Sequence, residues 1–164
     1  FRKDLESNRV ATARIQTEVM GKGLFNTLFT FYLHDPQGTH TIEGHLDAMK
    51  FSDFNPVLEN LAFAHMEGMV HSLDFSIELN REKARGSAAL NYEKLHVELL
   101  KSETLEQGTG QQIQSFIANT FAIKNENRPP LREGEIKFER DEQKSAFNFW
   151  WKSLSTGLEN SIGL

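Results

Sequence analysis

Hydrophobic and polar residues alternate along this chain with period two, over stretches far longer than a compact domain needs. From Met69 the odd positions read Met69, His71, Leu73, Phe75, Ile77 and Leu79, against Val70, Ser72, Asp74, Ser76 and Glu78. Side chains of a strand point alternately to its two faces, so this predicts a half-buried strand over about Ala64–Leu79. A second run, Lys83–Lys101, buries Ala84, Ala88, Leu90 and Tyr92 on even positions, then shifts to Leu95, Val97 and Leu99 after Glu93-Lys94. A one-residue slip of phase is the trace of a β-bulge, which bends a strand and curves its sheet. Strands of this length span about 35–55 Å at about 3.3 Å per residue.

Shorter elements precede them. Residues 9–19 set Ala11, Ala13, Ile15, Thr17 and Val19 against Thr12, Arg14, Gln16 and Glu18, a first strand closed by Gly21 and Gly23. A second strand, Leu24–His34, places Phe25, Thr27, Phe29, Phe31 and Leu33 on one face. Its other face also carries Leu24, Leu28 and Tyr32, so both faces meet protein or ligand. Asp35-Pro36-Gln37-Gly38 reads as a turn, because proline presets φ and glycine relieves the exit. It leads into a third strand, Thr39–Ala48, with Ile42, Leu46 and Ala48 on one face. Asn55 and Pro56 suit the N-cap and first position of a short connecting helix.

Beyond the long strands, residues 102–112 read as a loop, and Ile113, Phe116, Ile117, Thr120 and Phe121 recur at helical spacing up to Arg128-Pro129-Pro130. Gly134–Glu139 reads as a short strand. Asp141 then caps a terminal helix carrying Phe147, Trp150, Trp151, Leu154, Leu158 and Ile162, with Gly157 and Gly163 loosening its end. The fold class is therefore α+β: a long, curved, mainly antiparallel β-sheet, groove-like, with a short connecting helix and two amphipathic helices, the last at the C-terminus. One domain covers 1–164, its main sheet in 1–101 and its helix, short strand and terminal helix in 102–164.

Composition narrows the function. The net charge is −5 and there is no basic run, which argues against a nucleic-acid partner. With no cysteine, disulfides, thiolate metal sites and cysteine nucleophiles are excluded. No apolar run is long enough to span a bilayer as a helix, so no transmembrane segment is expected within the chain. The start at Phe1 reads as a processed product or fragment, with any anchor or targeting signal upstream. Thirteen Phe against two Tyr favour dry surface.

Catalytic and metal candidates are weak. The histidines His34, His40, His45, His65, His71 and His96 form no metal-ligand spacing, so no metal and no cofactor is expected. His71, Ser72 and Asp74 are close in sequence, but on a strand His71 points away from the other two, and no nucleophile-elbow pattern surrounds the serine. Glu103 and Glu106 read as solvated loop carboxylates, and the Gly-x-Gly steps at 21/23 and 108/110 as turns. No catalytic residue is assigned, and an enzyme is the weakest option. Two features carry a choice instead. Phe25, Phe29 and Phe31 are either core or the lining of a groove for an acyl chain. Phe147-Asn148-Phe149-Trp150-Trp151 either lies against a membrane or partner or packs over the open end of the sheet, and its sparse Lys and Arg favour packing.

Three segments resemble the C-terminal region of AsmA-like bacterial envelope proteins of the Bacteroidota type. They are Gly44-His45-Leu46-Asp47 with Phe54-Asn55-Pro56-Val57-Leu58; Glu67–Phe75 with Ala84-Arg85-Gly86 and Leu90–Val97; and the ending Phe147–Leu154 with Gly157. The likeness covers most of 39–101 and 131–164; it departs at Glu93-Lys94, where an acidic residue directly before the leucine is expected, and residues 1–38 match only in character. It implies the terminal piece of an elongated β-groove protein of the bacterial envelope, in the periplasm, which handles lipid between membranes or maintains the outer membrane. It implies no catalytic residue. Its partners would be phospholipid acyl chains, other envelope proteins or the rest of its parent chain. The apolar groove would be concave and built from Phe25, Phe29, Phe31, Leu73, Phe75, Ile77 and Leu90, with Phe147, Trp150 and Trp151 as end cap or interface. A structural protein-interaction domain, or a self-contained sheet binding a small apolar ligand, stays open as the alternative.

Overall fold

Among the described residues seven strands form one open sheet, and each strand pairs antiparallel with its neighbours. The computed structural model describes residues 9–61, 64–99 and 123–164. The elements are β1 (Val10–Val19), β2 (Gly23–Tyr32), β3 (His40–Leu46), β4 (Met49–Lys50), a 3-10 turn at Phe51–Phe54, α1 (Asn55–Leu61), β5 (Ala64–Leu79), β6 (Lys83–Leu99), β7 (Gly134–Glu139) and α2 (Ala146–Ile162). The sheet order is β1-β2-β3-β5-β6-β7, with β4 pairing β5 past the end of β3. The loop expected at 102–112 and the helical spacing of 113–121 lie outside the described residues.

Local chemistry explains the short connections. The Asp35 carboxylate accepts from the amides of Gln37 and Thr39, and Gly38 N–H donates to the Asp35 carbonyl at 3.0 Å, closing the turn read from the sequence. Between β5 and β6, the Asn80 side chain accepts from the amides of Glu82 and Lys83. Both are local bonds that turn residues make to their own backbone.

Register defines two faces. One cross-strand row runs Ile15, Thr27, Gly44, Phe75, Ala88, Gly134; the next runs Ala13, Phe29, Ile42, Ile77, Gly86, Ile136. These rows and their even-numbered companions on β6 form the dry face, whose centre at Ile42, Leu73, Phe75, Ile77, Leu90 and Tyr92 is buried. Helix α2 lies over β5, β6 and β7 on this face.

The long hairpin corrects the phase expected for β5. The register slips twice, between Glu67/Met69 and between Val70/Ser72. The first slip inserts an extra residue on β6 at Lys94 (φ 52), opposite Gly68 (φ 116), where an added Cβ would come within 2.5 Å of the Lys94 carbonyl. The second leaves His71 as the extra residue on β5. Leu73 and Val70 are both buried while His71 is exposed, so the odd-position pattern holds only from Leu73 onward. The slip was legible on β6, where both sides are apolar; on β5 Met69 and Val70 are equally apolar and hide it.

Four smaller expectations are also corrected. Ala48 is exposed and Met49 is buried, because the chain steps out between β3 and β4. Asn55 does not cap α1; its buried side chain accepts from the Met66 amide at 2.9 Å and donates to the Met66 carbonyl at 3.1 Å, pinning α1 to β5. Ser145, not Asp141, caps α2, its hydroxyl accepting from the Asn148 amide, while Asp141 accepts from the Gln143 amide in the preceding turn. Gly163 (φ 93) ends α2, but Gly157 is buried within it and marks the closest approach of helix to sheet: a Cβ there would sit 2.5 Å from Ile136.

Candidate functional site

Among the described residues, the dry face is covered on one half only. The stripe Phe149, Ser153, Gly157, Ser161 of α2 is buried against β6 and β7, with Phe149 and Phe138 rings 6.2 Å apart. Small residues at three of these four positions let the helix backbone sit close to the sheet. Trp150 marks the other margin. Its ring lies 5.3 Å from Phe29 and 6.0 Å from His40, and its indole N–H donates to His40 Nε2 at 3.1 Å. His40 Nδ1 lies 3.0 Å from the Gly38 carbonyl, so Nδ1 carries the proton and Nε2 is the acceptor. Phe31 stacks on His40 at 5.6 Å and on Phe29 at 6.2 Å, completing a four-ring cluster.

Beyond this cluster the face runs on toward β1 with no described helix packed over it. Phe25, Phe29 and Phe31 are half-buried, and Phe25 stacks on Phe75 at 6.2 Å. Ile15, at the end of its row, is 50 % exposed. Thr27, between Phe25 and Phe29 on the strand, is buried with a hydroxyl that has no hydrogen-bond partner. A second stripe of α2 rises beside this floor. Phe147 and Trp151 are 71 % and 54 % exposed, and Leu154, Leu158 and Ile162 continue the stripe, half-buried. At about 100° per residue, Phe147 and Leu154 lie within about 60° of Trp150, so these two are turned toward the β1–β3 side of the helix, while Trp151 lies about 100° round from it.

The residues singled out from the sequence thus divide. Leu73, Phe75, Ile77 and Leu90 are buried core; Phe25, Phe29 and Phe31 form the half-buried floor. Trp150 packs against the sheet, whereas Trp151 points outward, which corrects the expectation that both tryptophans cover the end. Successive helical residues diverge by about 100°, and only one of the pair can face the strands. His40 was not read as a partner for Trp150, and no local signal could have shown it, because 110 residues separate the two.

A separate concavity of about 740 Å³ lies on the opposite, polar face. Arg14, Gln16, Asn26, Leu28, Glu43, His45, Asp74 and Ser76 line it. Phe75 borders it too, but its ring is on the dry side, since a Cβ on Gly44 would come 2.2 Å from that ring. Twisted sheets are saddle-shaped, so a polar face can be hollow along one diagonal. Within the hollow, His45 is held between two carboxylates, Nδ1 to Asp74 at 2.6 Å and Nε2 to Asp47 at 3.2 Å. The bond to Asp74 raises the His45 pKa; burial opposes it, and the Asp74 charge and then Asp47 add to the rise. With both ring nitrogens taken by carboxylates, this imidazole has no free position for abstracting a proton.

The other histidines are placed without a shared centre. His71 faces Glu93 at 3.7 Å and not Asp74, and His65 pairs with Glu59 at 2.6 Å. Among the described residues no three His, Asp or Glu side chains converge as metal ligands, and no helix is long and apolar enough to cross a membrane. No protein-family model, curated protein or solved structure matches the chain.

Proposed function

We propose that this chain is a non-enzymatic, AsmA-like domain of the bacterial envelope, periplasmic in location, whose dry face handles phospholipid acyl chains. The observation that carries the reading is a face that the described residues cover by half: an apolar floor of Phe25, Phe29 and Phe31 runs from Trp150 to an exposed Ile15 at the margin of the sheet. An acyl conduit needs an apolar surface open at its end, which a sealed two-layer core does not provide. The outward stripe of α2 supplies a wall beside that floor. Each methylene shielded there contributes about 0.8 kcal/mol, while head groups stay in water. The resemblance in the strand and terminal-helix motifs points the same way.

Native mass spectrometry with lipid extraction, on protein purified from a bacterial host, tests this. Bound phospholipid is expected in the parent chain and reduced in Ile15→Glu, whose exposed position spares the core. A folded parent that carries no lipid and takes up none when offered would overturn the reading. The alternative of a protein-interaction domain draws its support from a different feature, the outer edge of β1, with which no described strand pairs.

A further inference from the structure

No described strand pairs with the outer edge of β1, and the strand lacks several of the devices that block such pairing. It has no proline, its register with β2 runs unbroken over ten residues, and its dry-face residues Ala11, Ala13, Ile15 and Thr17 carry no charge. The Leu33 amide donates to the Arg9 carbonyl, which places odd residues in bonding contact with β2 and turns the amides and carbonyls of even residues outward. Arg14, Gln16 and Glu18 are the even residues at its centre, and all three side chains are exposed on the polar face.

We propose that β1 pairs antiparallel with β1 of a second copy about a two-fold axis at Gln16, joining two sheets edge to edge. In this register Arg14 stands opposite Glu18 of the partner subunit, and Glu18 opposite Arg14 of the partner subunit, so two cross-strand ion pairs flank the axis. On the dry face Ile15 meets the partner's Thr17 and Ala13 meets the partner's Val19. Moving the axis to residue 14 or 18 sets arginine on arginine or glutamate on glutamate; moving it to 15 or 17 leaves both charges opposite uncharged residues. Charge complementarity thus selects both the occupant, a second copy, and the register. An axis normal to the sheet keeps both dry faces on one side, so the two floors become one surface between two α2 helices. The geometry of this edge stands whether or not the dry face carries lipid.

Sedimentation velocity on the 164-residue chain at about 1–100 µM, with charge-reversal variants, tests the association. A concentration-dependent dimer is expected; Arg14→Glu or Glu18→Arg alone raises its dissociation constant about tenfold or more, and the double reversal restores it. The register is read by cross-linking, because the chain has no cysteine of its own. Directly opposed residues lie about 5.5 Å apart at Cα, within disulfide range, so Gln16→Cys is expected to oxidise to a covalent dimer and Thr12→Cys, far from its own copy, is not. A chain monomeric throughout overturns the proposal. So does a dimer indifferent to the charge reversals, or one that cross-links through Thr12→Cys in place of Gln16→Cys.

Discussion

Trp150 donates its indole N–H to Nε2 of His40 across 3.1 Å, and this bond joins the C-terminal helix to the start of β3. It holds only while the imidazole is neutral with its proton on Nδ1, the form that the Gly38 carbonyl selects. Trp150→Phe keeps a ring against Phe29 but removes the donor, and is expected to cost about 1 kcal/mol in urea unfolding. Trp151→Phe is expected to change stability by less than about 0.5 kcal/mol, because that side chain is exposed. The chain has two tryptophans, so Trp151→Phe also isolates the Trp150 emission, expected to be less accessible to acrylamide than that of Trp151 in Trp150→Phe.

Asn127 is a buried staple between the long hairpin and the segment entering β7. Its Nδ2 donates to the carbonyls of Leu90 at 2.8 Å and Arg132 at 2.9 Å, and its Oδ1 accepts from the Arg132 amide at 2.9 Å. Asn127→Leu strands those backbone groups in a dry place and is expected to cost at least about 2 kcal/mol. Exposed Asn125, whose backbone carbonyl accepts from the Leu95 amide, serves as control: Asn125→Leu is expected within about 0.5 kcal/mol of the parent. Equilibrium denaturation compares the two.

Helix α2 sits on glycines of unequal tolerance. A Cβ at Gly134 would lie 1.9 Å from the Gly157 carbonyl oxygen and 2.5 Å from the Ser161 nitrogen, both backbone atoms of the helix. Gly134→Ala therefore forces α2 away from β7 and is expected to cost about 1–3 kcal/mol. At Gly157 the tightest contact is the Ile136 side chain, which can shift, and alanine recovers up to about 1 kcal/mol of helix propensity. Gly157→Ala is thus the milder change, a ranking that thermal unfolding would reverse if the helix sat looser than described.

His45 gives a pH dependence with a definite sign. Its pKa is raised in the folded chain, chiefly by the Asp74 hydrogen bond, so the charged form is favoured on folding. That contribution is fully present below the ordinary imidazole value of about 6.5 and is lost as pH rises through the raised folded value. The group is 44 % exposed, so the effect on stability is small. Asp74→Asn is expected to lower the His45 titration midpoint measured by NMR, and Asp47→Asn to lower it less.

Much of this architecture was legible in the chain order of its residues. Alternation alone located the long strands and the short strand Gly134–Glu139, because a half-buried strand imposes period two on side chains whatever lies elsewhere. The β6 slip at Glu93-Lys94 was visible for the same reason, whereas its counterpart at His71 was masked by adjacent apolar residues. Long-range partners decided the rest. That Asn55 pins β5 in place of capping a helix, that Trp150 turns inward and Trp151 outward, and that His45 is gripped by Asp74 all depend on which strands are neighbours. Period and local capping are properties of consecutive residues, so sequence by itself determined the elements and the existence of a dry face. Coverage of that face depends on how a helix near the end of the chain docks against strands as much as 110 residues away, and only the tertiary structure decided which half of it that helix covers.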